Sequence, residues 1–293
     1  NVPIYGKKKN MLKKIYYKLP ISIQNYLNKA AAKVSNNSIE EFIYSDIGKE
    51  YNLNENDKLK IIERIQIALS KMESATSLEV QLELGKKILS LENQNKDFIV
   101  ECGAYKGASS VALSIFSKIV NRKLIVYDSF EGLPKDNDQL EGRNYPHLRV
   151  TGEYKEGMYK GSLEEVENNL KYFGEFENCI LRKGNFNDIL KNHEEKIDFL
   201  FLDVDLVEST FDCIKYLWPY IKDDKYIFTD DACDIDVVSV WFNKDWWISN
   251  FNCSPPGYVG SGCGIPLGGN FSSLGYSIKN PKKDKFKKAF FLY

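Results

Sequence analysis

Histidine is nearly absent from this chain: His147 and His193 are the only two among 293 residues. Chemistry that depends on imidazole has little to draw on. His193 stands in a Lys/Glu-rich stretch that reads as inert surface, and His147 lies in a long polar loop. A Ser-His-Asp hydrolase would also need a nucleophile elbow, and no Gly-x-Ser-x-Gly stands between a strand and a helix. Gly260-Ser-Gly-Cys-Gly264 is only a G-x-G-x-G loop. The six cysteines include no C-x-x-C pair. That argues against a zinc ribbon and a disulfide framework, and fits a reducing compartment such as the cytoplasm. No apolar run approaches the roughly 20 residues of a membrane span, and no signal-peptide core precedes a cleavage site. Net charge is −1, so the chain as a whole lacks the basic footprint of a nucleic-acid binder. The charge is uneven, however: residues 1–35 hold eight lysines and no acid.

What is present reads as an α/β protein with a helical extension. Residues 11–33 read as one or two basic helices, with Leu12, Ile15, Leu19, Ile23 and Leu27 at helical spacing. Such a face suits a membrane surface or a packing partner; its shortness and its lack of Trp and Phe favour packing. Residues 34–56 read as a loop, and 57–73 and 77–92 as two helices. From Phe98 strands and helices alternate. Strands are expected at 99–102, 123–128, 178–182, 196–203 and 226–230, with helices at 109–120, 162–173, 208–218 and 234–247. Ser162-Leu-Glu-Glu165 is a capping box. A closing hairpin is expected around 274–279 and 288–293. This order predicts a doubly wound, Rossmann-like sheet, mostly parallel with an antiparallel edge. The division is a helical extension over 1–94 and the α/β domain over 95–293.

The first βα turn organises the rest. Asp97-Phe-Ile-Val-Glu101 runs into Cys102-Gly-Ala-Tyr-Lys-Gly107 and then Ala108-Ser-Ser110. A dinucleotide fingerprint needs three glycines, because the backbone must approach a pyrophosphate. Here Tyr105 stands at the second glycine position. Glu101-x-Gly103-x-x-x-Gly107 suits instead a nucleoside ligand without phosphates, of which S-adenosylmethionine is the common one. Its ammonium can meet acids, and its carboxylate the helix start near Ser109. Asp128, about 20 residues after Gly107, ends the second strand where an acid holds ribose hydroxyls; it also fits a turn cap with Ser129. Asp203-Val-Asp205 ends the fourth strand and Asp230-Asp231 the fifth. Carboxylates at neighbouring strand ends repel unless a cation or proton lies between them. Oxygen donors without His or Cys favour Mg²⁺ or Ca²⁺. The plainer alternative is that they cap the helices that follow.

With those residues in hand, the chain resembles the macrocin O-methyltransferase (TylF-type) family over about 95–250. The most specific parts are Tyr127-Asp-Ser-Phe-Glu-Gly-Leu-Pro134, Gly184-Asn-Phe-Asn-Asp188, Asp203-Val-Asp-Leu-Val-Glu-Ser-Thr210 and Thr229-Asp-Asp231. The resemblance implies a methyltransferase that uses S-adenosylmethionine and Mg²⁺. It implies that Glu101, Gly103, Gly107 and Asp128 hold the cofactor, and it places Ser129, Phe130 and the Asn185-Phe186-Asn187-Asp188 loop near the adenosine. It makes Asp203, Asp230 and Asp231 the metal ligands. Val204 departs from the family, which has glycine between the two aspartates. The expected acceptor is a hydroxyl of a sugar, glycoside or similar diol, with Asp203 also taking its proton. Tyr145, Tyr154, Tyr159 and the Trp246-Trp247 pair are candidate pocket walls, although such aromatics are more often core. A homo-oligomer is the expected assembly. Two other readings stand beside this one. One is a metal-dependent glycosyltransferase using Asp203-Val204-Asp205 as a D-x-D motif. The other is a non-catalytic interaction protein with a basic tail.

Overall fold

The structure is a computed structural model that describes residues 38–135 and 154–282. The basic helices expected at 11–33, Tyr145, His147 and the strand expected at 288–293 lie outside those residues.

Seven strands form one sheet in the order β3-β2-β1-β4-β5-β9-β6. They are β1 (Phe98–Cys102), β2 (Leu124–Asp128), β3 (Cys179–Lys183), β4 (Ile197–Leu202), β5 (Tyr226–Thr229), β6 (Tyr258–Val259) and β9 (Gly275–Ile278). The first five are parallel, and β9 runs antiparallel between β5 and β6. All six residues of β4 are buried. That is the mark of a central strand covered on both faces, and it explains the unbroken apolar run in its sequence. A small hairpin, β7 (Pro266–Leu267) with β8 (Asn270–Phe271), stands apart from the sheet.

One face of the sheet is covered by α1 (Glu55–Lys71), α2 (Leu78–Leu89), α3 (Ala108–Ile119) and α4 (Leu163–Phe173). Next comes the single turn α5 (Phe186–Ile189). The other face packs against α6 (Val207–Leu217), a 3-10 segment (Val237–Phe242) and α7 (Lys244–Phe251). Local chemistry sets the starts. Asn54 and Asp57 form a reciprocal capping box on α1, and Ser162 accepts from the Glu165 N–H at 3.1 Å to open α4. Ile61, Ile65, Leu82 and Ile88 share one core with Val111, Phe116, Ile99 and Phe201. The helices before residue 94 are therefore continuous in packing with the sheet.

Several expectations are corrected. Residues 38–44, expected as loop, are helical, and Phe42 is fully buried with its ring edge on Phe116 at 6.1 Å. The helix expected over 234–247 breaks at Asn243, whose side chain accepts from the Trp246 N–H at 3.1 Å and caps α7. Trp247 is no pocket wall: it is fully buried against Trp218 and Trp241. His193 is not surface but 1% exposed. Arg182 donates to the Tyr127 hydroxyl at 2.6 Å. That hydroxyl is left to donate to His193 Nδ1 at 2.7 Å, so Nε2 carries the proton given to the Glu195 carbonyl at 2.8 Å. Burial lowers the His193 pKa, consistent with this neutral form.

Candidate active site

The carboxyl ends of β1, β2, β4 and β5 open into a cleft of about 370 Å³. Parallel strands deliver their terminal residues to the same edge, which is where doubly wound folds bind ligands. After β1 the chain turns at Gly103, with φ +87. A Cβ there would lie 1.8 Å from the Asp203 carbonyl oxygen, so only glycine allows the turn to pass β4 this closely. The turn places the Ala104 N–H 2.6 Å from one Asp128 oxygen, and the Phe130 N–H 2.6 Å from the other. Burial raises the Asp128 pKa and these amides oppose the rise. The Tyr105 backbone and the Ser129 side chain also hydrogen-bond this carboxylate, which lines the cleft.

Of the residues singled out in the sequence, Gly103, Tyr105, Asp128, Ser129, Tyr159, Asn185, Phe186, Asn187, Asp203, Asp205, Asp230 and Asp231 line this cleft. The others are placed elsewhere. Glu101 is fully buried and accepts from the Ser110 hydroxyl at 2.5 Å, and burial pushes its pKa up to about 7. Ser109, 5% exposed, lies beside it in the same buried layer. Gly107 is the N-cap of α3, and Phe130 is core. Asp188 is not brought to the cleft: Asn185, Phe186 and Asn187 line it, while Asp188 faces solvent, 3.9 Å from Lys191 on the next turn. A one-turn helix can show the cleft only part of its circumference, and Asp188 falls on the far side.

Acid dominates the far end of the cleft. Burial pushes Asp203 and Asp231 well above the usual carboxylate range, and each is driven further by its neighbours among Asp203, Asp205, Asp230 and Asp231. Burial likewise pushes Asp205 and Asp230 up to about 6. Neutral donors hold them in place. Ser273 donates to Asp230 at 2.8 Å, the Asp205 N–H donates to Asp231 at 3.0 Å, and Tyr154 hydrogen-bonds Asp205. Among the described residues none of the four acids forms an ion pair. The donor set is chemically apt for a hard divalent cation: buried or half-buried, oxygen-only and uncompensated among the described residues. Among the described residues, however, no three His, Cys, Asp or Glu side chains already converge at ligating distance.

Sequence reasoning missed several cleft residues. Ala75 and Ser273 line it, and Tyr159, a candidate pocket wall, lines it as expected; Glu73 accepts from the Tyr105 hydroxyl at 2.6 Å. Ala75 and Glu73 come from the link between α1 and α2, and Ser273 from the turn before β9. Nothing local in sequence announces such long-range contacts. Asp234 was readable, three residues beyond Asp231.

A family model for macrocin-O-methyltransferase (TylF) matches residues 83–244, more than half of the chain. The chain belongs to the TylF family. The matched span runs from α2 to the start of α7 and so includes all four cleft-forming strands. A sugar-directed relative from Streptomyces olivaceus, 8-demethyl-8-(2,3-dimethoxy-alpha-L-rhamnosyl)-tetracenomycin-C 4'-O-methyltransferase, is 27% identical over 141 residues. That alignment takes in 45% of this chain, and the chain spans about half, 52%, of the relative's length. The O-methyltransferase NovP has the same fold, with a TM-score of 0.54 at 19% identity over 71% of this chain and 83% of its own. TylF membership thus agrees with the doubly wound sheet. No helix among the described residues is long and apolar enough to cross a membrane.

Proposed function

We propose that this protein transfers the methyl group of S-adenosylmethionine to a hydroxyl of a sugar or glycoside, with Mg²⁺ as a resident cation. The observation that carries the reading is one cleft with two dissimilar ends. At one end a two-glycine turn presents amides to Asp128. At the other, buried Asp230 and Asp231 stand with half-buried Asp203 and Asp205, with no countercharge among the described residues. TylF membership supports methyl transfer over the D-x-D glycosyltransferase reading, and the sugar-modifying relative supports a sugar acceptor.

In this reading Asp128 would take the ribose hydroxyls, in exchange for or beside its present donors, and Asn185 and Phe186 would wall the adenine. Asp203, Asp230 and Asp231 would hold Mg²⁺. When bound, that ion would neutralise the acids and lower the pKa of the acceptor hydroxyl. The carboxylate of Asp203 accepts the hydroxyl proton. S-adenosylmethionine, when bound, would supply an electrophilic methyl carbon to that oxygen, the carbon–oxygen bond forming as the carbon–sulfur bond breaks and the sulfur keeps the electron pair. No covalent enzyme intermediate is needed. Orientation and preorganised charge supply most of the acceleration. The protein should bind S-adenosylmethionine in calorimetry and convert it to S-adenosylhomocysteine with a pyranoside acceptor. Absence of cofactor binding, or turnover of a UDP-sugar instead, contradicts the reading.

A further inference from the structure

The segment after residue 154 is tied back onto the cleft. The Leu133 N–H donates to Met158 O at 2.8 Å, and the Gly157 N–H to Leu133 O at 2.9 Å. A Cβ on Gly161 would stand 1.9 Å from the Tyr105 carbonyl oxygen, so the segment lies directly against the β1 turn. Three tyrosines meet there. The Tyr159 ring packs edge-on with Tyr105 at 5.6 Å and 87°, and lies 6.4 Å from Tyr154. Two of the three are anchored by their hydroxyls, Tyr105 to Glu73 at 2.6 Å and Tyr154 to Asp205. Tyr159 differs. It is 37% exposed, it lines the cleft with Asp203, Asp205, Asp230 and Asp231, and its hydroxyl makes no hydrogen bond among the described residues. A large ring held by two neighbouring tyrosines and partly exposed in the same cleft as the acids is a surface open to a ligand.

We infer that Tyr159 is a specificity-determining residue whose ring is the platform for the acceptor's sugar ring, and that the enzyme therefore selects cyclic over acyclic vicinal diols. The inference rests on the methyltransferase reading above and deepens it. A pyranose turns its C–H groups, which carry slight positive charge, to one face; an aromatic ring presents a negative face to them. The hydroxyls on the pyranose edge are then free to point at the acids. An acyclic diol offers the same hydroxyls and no such face, and must also lose more conformational freedom on binding. The Tyr159 hydroxyl, without a hydrogen bond among the described residues, can add a donor and an acceptor, but the platform is the ring and carries the larger share.

The test uses the full chain with S-adenosylmethionine and two probes, methyl α-L-rhamnopyranoside and butane-2,3-diol, assayed by release of S-adenosylhomocysteine. Wild type, Tyr159→Phe and Tyr159→Ala are compared, with cofactor affinity measured by calorimetry. The wild type should prefer the pyranoside. Tyr159→Ala should raise its KM by about tenfold and erase the preference, while Tyr159→Phe stays within about threefold. Cofactor affinity should not move in either variant. An unchanged KM in Tyr159→Ala, equal losses in Phe and Ala, or a parallel fall in cofactor affinity would overturn the platform role alone. A wild type that binds cofactor and methylates neither probe overturns the sugar-acceptor reading, and the platform with it.

Discussion

Opposite edges of one sheet treat buried acid in opposite ways. At the amino-terminal edge Asp198, on β4, is fully buried between Arg122 and Lys222, each 2.7 Å away. Burial alone would raise its pKa, but these cations outweigh burial and hold it below the usual value. At the carboxyl edge, past the end of the same strand, half-buried Asp203 and Asp205 and buried Asp230 and Asp231 have no ion pair among the described residues, and their pKa values rise. A compensated acid ties strands to helices. An uncompensated group of acids destabilises the fold, and it is retained where a ligand will supply the missing charge. In the proposed reading, the comparison separates an acid that ties the fold from acids that await a ligand at the two ends of β4.

The largest expected effect follows from removing one functional acid. Asp230→Asn should lower methyl transfer by roughly a thousandfold. The fold should stay intact or gain stability, because repulsion within the cluster is relieved. A kinetic assay paired with a thermal melt checks both halves, and a variant that loses stability along with activity breaks the contrast. Disturbing the other edge should do the reverse. Arg122→Ala leaves Asp198 buried with one partner fewer and should cost about 3–5 kcal/mol by urea unfolding. Specific activity of the fraction still folded should persist. A neutral result would mean that Lys222 alone suffices.

The smallest effect is a pH slope. Asp205 and Asp230 sit at about 6 in the folded chain against a usual 3.8. Between those values the folded state binds more protons than the unfolded one, so stability in EDTA should fall as pH rises through that window. Glu101, held at about 7, extends the decline upward. Asp198 has the opposite sign: its contribution is present above 3.8 and is lost only as pH falls through its lowered folded value. Urea midpoints across the window should show the decline, and Asp230→Asn should flatten it. A rising slope would mean that the carboxyl-edge acids are compensated after all.

Much of this architecture is legible in the residues. The apolar runs of β1 and β4 mark central strands, and Ser162 marks the start of α4 to within a residue. Gly103, Asp128, Asp203 and Asp230 could be placed at one edge because parallel strands carry their ends there. What stayed hidden depends on contacts distant in sequence. Phe42 lies in a stretch of Asn, Ser and Glu, and its burial comes from Phe116, more than 70 residues away. His193 looks like surface because its neighbours are charged, yet one of them, Glu195, turns back to pair with Arg182. Asp188 shares a motif with Asn185 and Phe186, but the short turn of α5 points it outward. Tyr159 is legible only as one of several candidate wall aromatics, and the packing of 154–161 on the β1 turn is what singles it out.

The central claim is that the carboxyl-edge acids are held in wait for a divalent cation, and calorimetric titration of Mg²⁺ near pH 6 tests it most directly. Acids with raised pKa values must release protons when a cation binds, so the apparent heat should change with the ionisation enthalpy of the buffer. The account predicts one Mg²⁺ per chain, net proton release, and loss of both in Asp230→Asn. No binding heat in any buffer, together with full methyl transfer in EDTA, would contradict it.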